Sequence, residues 1–148
     1  MTRTLIPLVA VVLAAATPAA AGKCPDAVRS AIAKAYPEST IKSCKAEKEG
    51  GVEQYAVLVT AKDRRVVEIG VAPDGRILTT EEEIPLEQVP KVVLDAFHAR
   101  YKDKQPTSVE KVTHADGKVD YELELRSGLS EKELLVAEDG TVLGTEDD

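Results

Sequence analysis

The sequence predicts an α+β protein made of two tandem units. Each unit is a helix followed by a four-stranded antiparallel sheet, and both helices pack on one face of the joined sheet. Three observations carry this expectation. The stretch "VAPDGRIL", Val71 to Leu78, returns as "VAEDGTVL", Val136 to Leu143, with five of eight positions identical. A shift of 65 residues also aligns Pro25 with Pro90, Val28 with Val93, Ala31 with Ala96, Tyr36 with Tyr101, Glu68 with Glu133, Thr80 with Thr145 and Glu81 with Glu146. Within each copy the apolar spacing changes once, from helical to alternating. Self-similarity at a fixed period marks repeated supersecondary units, here residues 22–83 and 84–148.

The chain has 148 residues, enough for one domain or two very small ones. Residues 1–21 are expected to lie outside the fold. Arg3 precedes the apolar run Leu5 to Ala16, and Ala19 and Ala21 form a small-residue cleavage signal, the pattern of a secretory signal peptide. The run is short for a bilayer span. Export implies an oxidising compartment, so the two cysteines, Cys24 and Cys44, read as a disulfide that staples the mature N-terminus. No C-x-x-C is present and no histidine lies nearby, which disfavours a redox or metal pair.

The first unit opens with Pro25 at a helix N-terminus, where a missing N–H leaves no bond unmade. Val28, Ala31, Ile32, Ala35 and Tyr36 then share one helical face, and Tyr36-Pro37 ends the helix because a residue before proline avoids the helical region. A weaker strand is expected over Thr40 to Ala46. In "QYAVLVT" the alternation places Tyr55, Val57 and Val59 inward, followed by Val67, Ile69 and Val71 in the next strand. "PDG" supplies a tight turn, with Asp-Gly at the positive φ of a two-residue hairpin.

The second unit follows the same order. Val89, Val93, Ala96, Phe97 and Tyr101 form the helical face, and a weaker strand covers Thr107 to His114. One single-residue slip brings Tyr55 onto Tyr121. "DYELELR" then places Tyr121, Leu123 and Leu125 inward, with Leu134 and Val136 in the next strand. A unit of this size buries little core alone. Joining the sheets edge to edge into about eight strands lets the units share one core and leaves the second sheet face open, which antiparallel sheets tolerate.

Pro-x-x-Val at a helix start, Tyr-Pro at its end, a Tyr-centred strand, "PDG" in the last hairpin and the connection "EEEIPLEQVPKVVLDAF" together resemble the PepSY-like, beta-lactamase-inhibitor-like family of exported bacterial proteins. The resemblance covers nearly all of the mature chain, and its motifs are structural. It implies a periplasmic or secreted non-enzymatic binding module, with an inhibitor of a secreted or periplasmic enzyme among its activities. The family implies an open sheet face that holds a protein. The related PepSY domain of secreted metalloprotease propeptides implies protease inhibition. No inhibitory loop motif matches residue by residue.

Removing residues 1–21 leaves 18 basic against 26 acidic residues, a net charge of −8. Such a surface disfavours nucleic acid and anionic membranes as partners and favours a basic one. No catalytic constellation, cofactor motif or metal-ligand set is legible, so no cofactor and no metal are expected. His98 and His114 read as solvated side chains. The runs "TTEEE", Thr79 to Glu83, and "TEDD", Thr145 to Asp148, read as a solvated linker and a frayed tail.

The candidate binding surface is the open sheet face. Its first half carries Ala56, Leu58, Thr60, Val66 and Glu68, with Gly70 between, and is nearly apolar. Its second half carries Asp120, Glu122, Glu124, Arg126, Glu133 and Leu135 and is acidic. An apolar patch with a charged rim is common interface anatomy. The expected partner is a protein of the envelope or secreted fraction. The alternative is a periplasmic small-molecule or cation sensor that uses the acidic half.

Overall fold

Both helices begin directly after a proline and stop at a tyrosine. The computed structural model describes residues 24–49 and 51–147. The proposed signal peptide lies outside them. Helix α1 (Asp26–Ala35) follows Pro25 and α2 (Lys91–Arg100) follows Pro90. Each proline stands at the helix N-terminus, as the sequence predicts, in the cap position with extended ψ of 150° and 140°. The Pro25 carbonyl still accepts the first helical bond, from the Arg29 N–H at 2.9 Å. Tyr36 and Tyr101 leave the helical region at ψ 74°. Two residues on, Glu38 and Asp103 take positive φ and turn the chain back. Ala35, assigned to the apolar face by spacing, is exposed because α1 ends there.

Between and after the helices run β1 (Thr40–Glu49), β2 (Val52–Thr60), β3 (Val66–Val71), β4 (Ile77–Glu83), β5 (Ser108–His114), β6 (Val119–Ser127), β7 (Ser130–Ala137) and β8 (Val142–Asp147). They form one antiparallel sheet in sequential order. The acidic run Thr79 to Glu83 is therefore no linker. It lies within β4, paired with β3 on one side and β5 on the other. Likewise the run from Thr145 continues as β8 to Asp147, paired with β7. Composition suggested solvation, but backbone pairing with neighbouring strands orders both runs.

The β4–β5 register sets Thr80 opposite Thr113 and Glu82 opposite Lys111. Thr80 shares a sheet face with Ile69, its partner on β3, and Lys111 shares one with Tyr121. Both helices thus lie over the same face. α1 buries Val28 and Ile32 against Val57, Val59, Val67, Ile69 and Val71. α2 buries Val93 and Phe97 against Val109, Tyr121, Leu123, Leu134 and Val136. Each pair is spaced i, i+4, and removing Phe97 fully from water contributes about 3 kcal/mol. The shared core expected from sequence is in fact two clusters. The polar row Thr80, Glu82, Lys111 and Thr113 separates them, and Arg65 pairs with Glu82 at its margin.

The echoed "PDG" and "EDG" turns are three-residue loops, a correction to the two-residue hairpin expected. Gly75 N–H reaches the Ala72 carbonyl at 2.8 Å, Ala72 N–H reaches the Arg76 carbonyl at 2.8 Å, and Gly140 sits likewise between Ala137 and Thr141. Only the glycines take positive φ, +90° and +89°. The register slips by one between Gly70 and Val71 and between Leu135 and Val136 to absorb the extra residue. Each turn aspartate accepts from the N–H two residues on, Asp74 from Arg76 at 3.0 Å and Asp139 from Thr141 at 2.9 Å. Asp63 and Asp116 do the same at the β2–β3 and β5–β6 turns. The carboxyls of Asp63, Asp116 and Asp139 are held below their usual range by side-chain bonds to Arg65, Lys118 and Thr141 respectively.

Gly75 and Gly140 also press on the helices. A Cβ at Gly75 would lie 2.8 Å from the Ala27 carbonyl oxygen, and one at Gly140 3.0 Å from that of Val92. Gly117 has the same φ, +85°, with nothing within 4 Å. Gly75→Ala and Gly140→Ala should each lower stability by about 2 kcal/mol or more, and Gly117→Ala by about 1 kcal/mol. Denaturant melts of the three variants measure the difference, which isolates the hairpin–helix contact.

A disulfide joins Cys24, beside the start of α1, to Cys44 on β1, with the Cα atoms 5.5 Å apart. The purified, unreduced mature chain should titrate no free thiol. The Cys24→Ser/Cys44→Ser variant should lose about 3 kcal/mol in the same melts, the entropy of a loop of this length.

Candidate functional site

The face opposite the helices carries the alternate residues of every strand. On β2 these are Gln54, Ala56, Leu58 and Thr60, since Tyr55, Val57 and Val59 point to α1. The proposed apolar half is less accessible than its sequence suggests. Ala56 is buried and Leu58 and Thr60 are half-buried, while Val66 and Glu68 are exposed. Gln54 is the one polar side chain buried among the described residues. Its Nε2 donates to Glu47 Oε1 at 2.8 Å, and its side chain lies over Gly70. A Cβ on Gly70 would also run into the Thr79 hydroxyl, so a glycine is needed where two polar side chains close over the sheet.

The carboxylates concentrate at the middle of the sheet rather than in its second half. Cross-strand register sets Glu68 opposite Glu81, Glu83 opposite Glu110, Glu110 opposite Glu122 and Glu124 opposite Glu133. Glu122 and Glu124, assigned to the face by alternation, belong to this array. So do Glu81, Glu83 and Glu110, which sequence reading left out. No alternation marked them: Glu81, Glu82 and Glu83 run consecutively in β4, and Glu110 stands alone in β5 between Val109 and Lys111. Only the pairing of β4 with β5 brings them to one face. Arg126 is on the same face, engaged with Glu124 and, at 3.2 Å, with Glu131. Ser108 Oγ donates to Glu124 Oε2 at 2.7 Å.

Carboxylate oxygens of Glu81, Glu110 and Glu122 lie within 4.8 Å of one another. Three strands bring together a donor set that no sequence spacing displayed. Desolvation among these neighbours raises the Glu110 pKa above its usual 4.5, and the charges of Glu68, Glu83, Glu124 and Glu133 raise it further.

Neither histidine is a plain solvated side chain. His114, half-buried at the end of β5, meets Asp120 Oδ2 through Nε2 at 2.7 Å. His98 touches Phe97 edge-on, and its Nε2 is buried without a hydrogen-bond partner. For His114 the partner is brought across the β5–β6 hairpin, which one-dimensional spacing does not display. Clefts beside this face, such as that lined by Leu78, His114, Ala115, Asp116, Lys118 and Asp120, are open to solvent. No described helix is long and apolar enough to cross a membrane.

A family described as beta-lactamase-inhibitor-like, PepSY-like matches residues 54–144, more than half of the chain. No curated protein matches it by sequence. Solved structures that share its fold include three from Bacteroides. A protein from Bacteroides eggerthii, described as periplasmic, is 20% identical with a TM-score of 0.68, over 85% of this chain and 90% of the other. A BLIP-like protein from Bacteroides fragilis is 24% identical with a TM-score of 0.61, over 84% and 86%. A DUF2874 family protein from Bacteroides uniformis is 16% identical with a TM-score of 0.66, over 84% and 90%.

For a carboxyl whose folded pKa lies above its unfolded value, the neutral form is favoured by folding. Glu110 therefore destabilises the fold above its raised pKa, and this is relieved as pH falls toward 4.5. The lowered aspartates act in the opposite sense. The gain in melting temperature of Glu110→Gln over wild type should be largest at pH 7 and vanish near pH 4.

Proposed function

We propose, for a chain that belongs to the PepSY-like, beta-lactamase-inhibitor-like family, that it is an exported non-enzymatic module that binds a protein through its open sheet face. The observation that carries this reading is a continuous eight-stranded sheet with both helices on one face and a charged, partly apolar surface on the other. Inhibition of a secreted or periplasmic enzyme is the activity proposed, supported by the family's description and by a BLIP-like structural neighbour. Export is supported by the signal-like residues 1–21, the disulfide and a neighbour described as periplasmic. Residues 22–83 and 84–148 are read as two copies of one helix-plus-four-strand unit, each supplying half of the face.

Within this reading Leu58 and Val66 form the apolar centre, with Ala56, Thr60 and Glu68 around them, and Glu122, Glu124 and Arg126 the charged flank. Leu58→Ala should weaken binding of a partner captured from the envelope or culture fluid by about 1 to 3 kcal/mol. Glu122→Lys with Glu124→Lys should instead slow association and flatten its salt dependence. Surface-binding kinetics read both effects. Unchanged affinity in Leu58→Ala and Val66→Ala would place the binding surface elsewhere.

A second reading, a periplasmic cation or small-molecule sensor, is favoured by the convergence of Glu81, Glu110 and Glu122 within 4.8 Å. Oxygen donors of this kind suit calcium or magnesium. Calorimetric titration with calcium tests it directly, and absence of heat at millimolar ion removes it.

A further inference from the structure

We propose that the occupant of the open face is a lysine- or arginine-bearing loop of a partner protein, seated over Glu68, Glu83 and Glu110 at the middle of the sheet. This rests on the open-face reading and names the chemistry of the partner. Like charges directly opposite each other on a sheet destabilise it. Here four such pairs occur on one face, across β3 to β7. The helix face shows that the chain can do otherwise, since there Glu82 is set opposite Lys111 and pairs with Arg65.

Among the described residues, strand register places Lys45 and Arg126 on the acidic face. Lys45 lies out on β1, opposite Ala56, and Arg126 is already engaged by Glu124 and Glu131. Lys111 and Lys132 sit opposite Tyr121 and Leu125, on the helix face. The acidic array spans five strands, roughly 19 Å at strand spacing. That width exceeds a single ion and suits a loop carrying several cations. Val66, exposed on the same face, with half-buried Leu58 and Leu135, offers apolar surface for the methylene stems of lysine or arginine. A guanidinium or ammonium over Glu110 would also offset the neighbouring carboxylate charges that, after desolvation, raise its pKa.

The test uses the purified mature chain and hexalysine as probe, by calorimetry at low and physiological salt. Binding is expected, weakening as salt rises. Glu83→Gln/Glu110→Gln should lower affinity by about tenfold or more and raise the melting temperature in the same protein. Glu87→Gln/Glu138→Gln removes the same charge at exposed positions in the turns before α2 and after β7, and should change affinity by less than about twofold. Loss of melting temperature is not expected for either pair, so weakened binding is not a folding defect. Equal loss in both pairs, no hexalysine binding by wild type, or calcium alone binding at micromolar levels and displacing the peptide would overturn the proposal. A captured partner that loses affinity with Leu58→Ala but not with Glu83→Gln/Glu110→Gln would overturn it and leave the open-face reading standing. Indifference to all of these variants would remove both.

Discussion

The pairing of β4 with β5 is the constraint on which the rest of the structure depends. Five register-matched pairs, from Thr79 with His114 to Glu83 with Glu110, carry one sheet across the middle of the chain. Side chains alternate strictly between the faces of a sheet, so this register decides that α1 and α2 cover the same side. A slip of one residue would set the two helices on opposite faces. It would also break up the acidic surface, since Glu81 and Glu83 would exchange faces with Glu82.

That junction serves the two faces differently. On the helix side it inserts a polar row between two apolar clusters, and each helix packs over its own set of Val, Leu and Ile. The clusters are small, and each is braced at its margin. The disulfide fixes the start of α1 to β1. The Gly75 and Gly140 turns press against backbone carbonyls in the first turns of α1 and α2. This explains why the same hairpin is written twice: only glycine supplies both the positive φ and the close approach that the helix start requires. On the open side the junction collects carboxylates that no core packing demands. Stability favours dispersing like charges, so their retention on one surface fits a role outside folding.

Much of this was legible in the chain. The two helices, their proline starts, the end of the first at Tyr36-Pro37, the inward residues Tyr55, Val57, Val59, Tyr121, Leu123 and Leu134, and the cysteine pair all follow from local rules. Those rules are helical spacing, strand alternation, proline stereochemistry and the redox logic of export. The open-face residues on β2, β3 and β6 were also assigned correctly by alternation alone. Their accessibility was not, because the burial of Ala56 and the Gln54 side chain over Gly70 depend on neighbours brought by pairing.

Sequence by itself determined the α+β class, the strand content, which residues of each strand face the helices and the acidic balance of the surface. These are properties of spacing and composition, and they act over a few residues. Tertiary structure alone decided that Thr79 to Glu83 is an inner strand, that the apolar core divides in two, and that Glu68, Glu83 and Glu110 stand side by side. Those facts depend on which distant strands pair and in what register. That choice is made by backbone hydrogen bonds between segments some 30 residues apart, to which local spacing is blind.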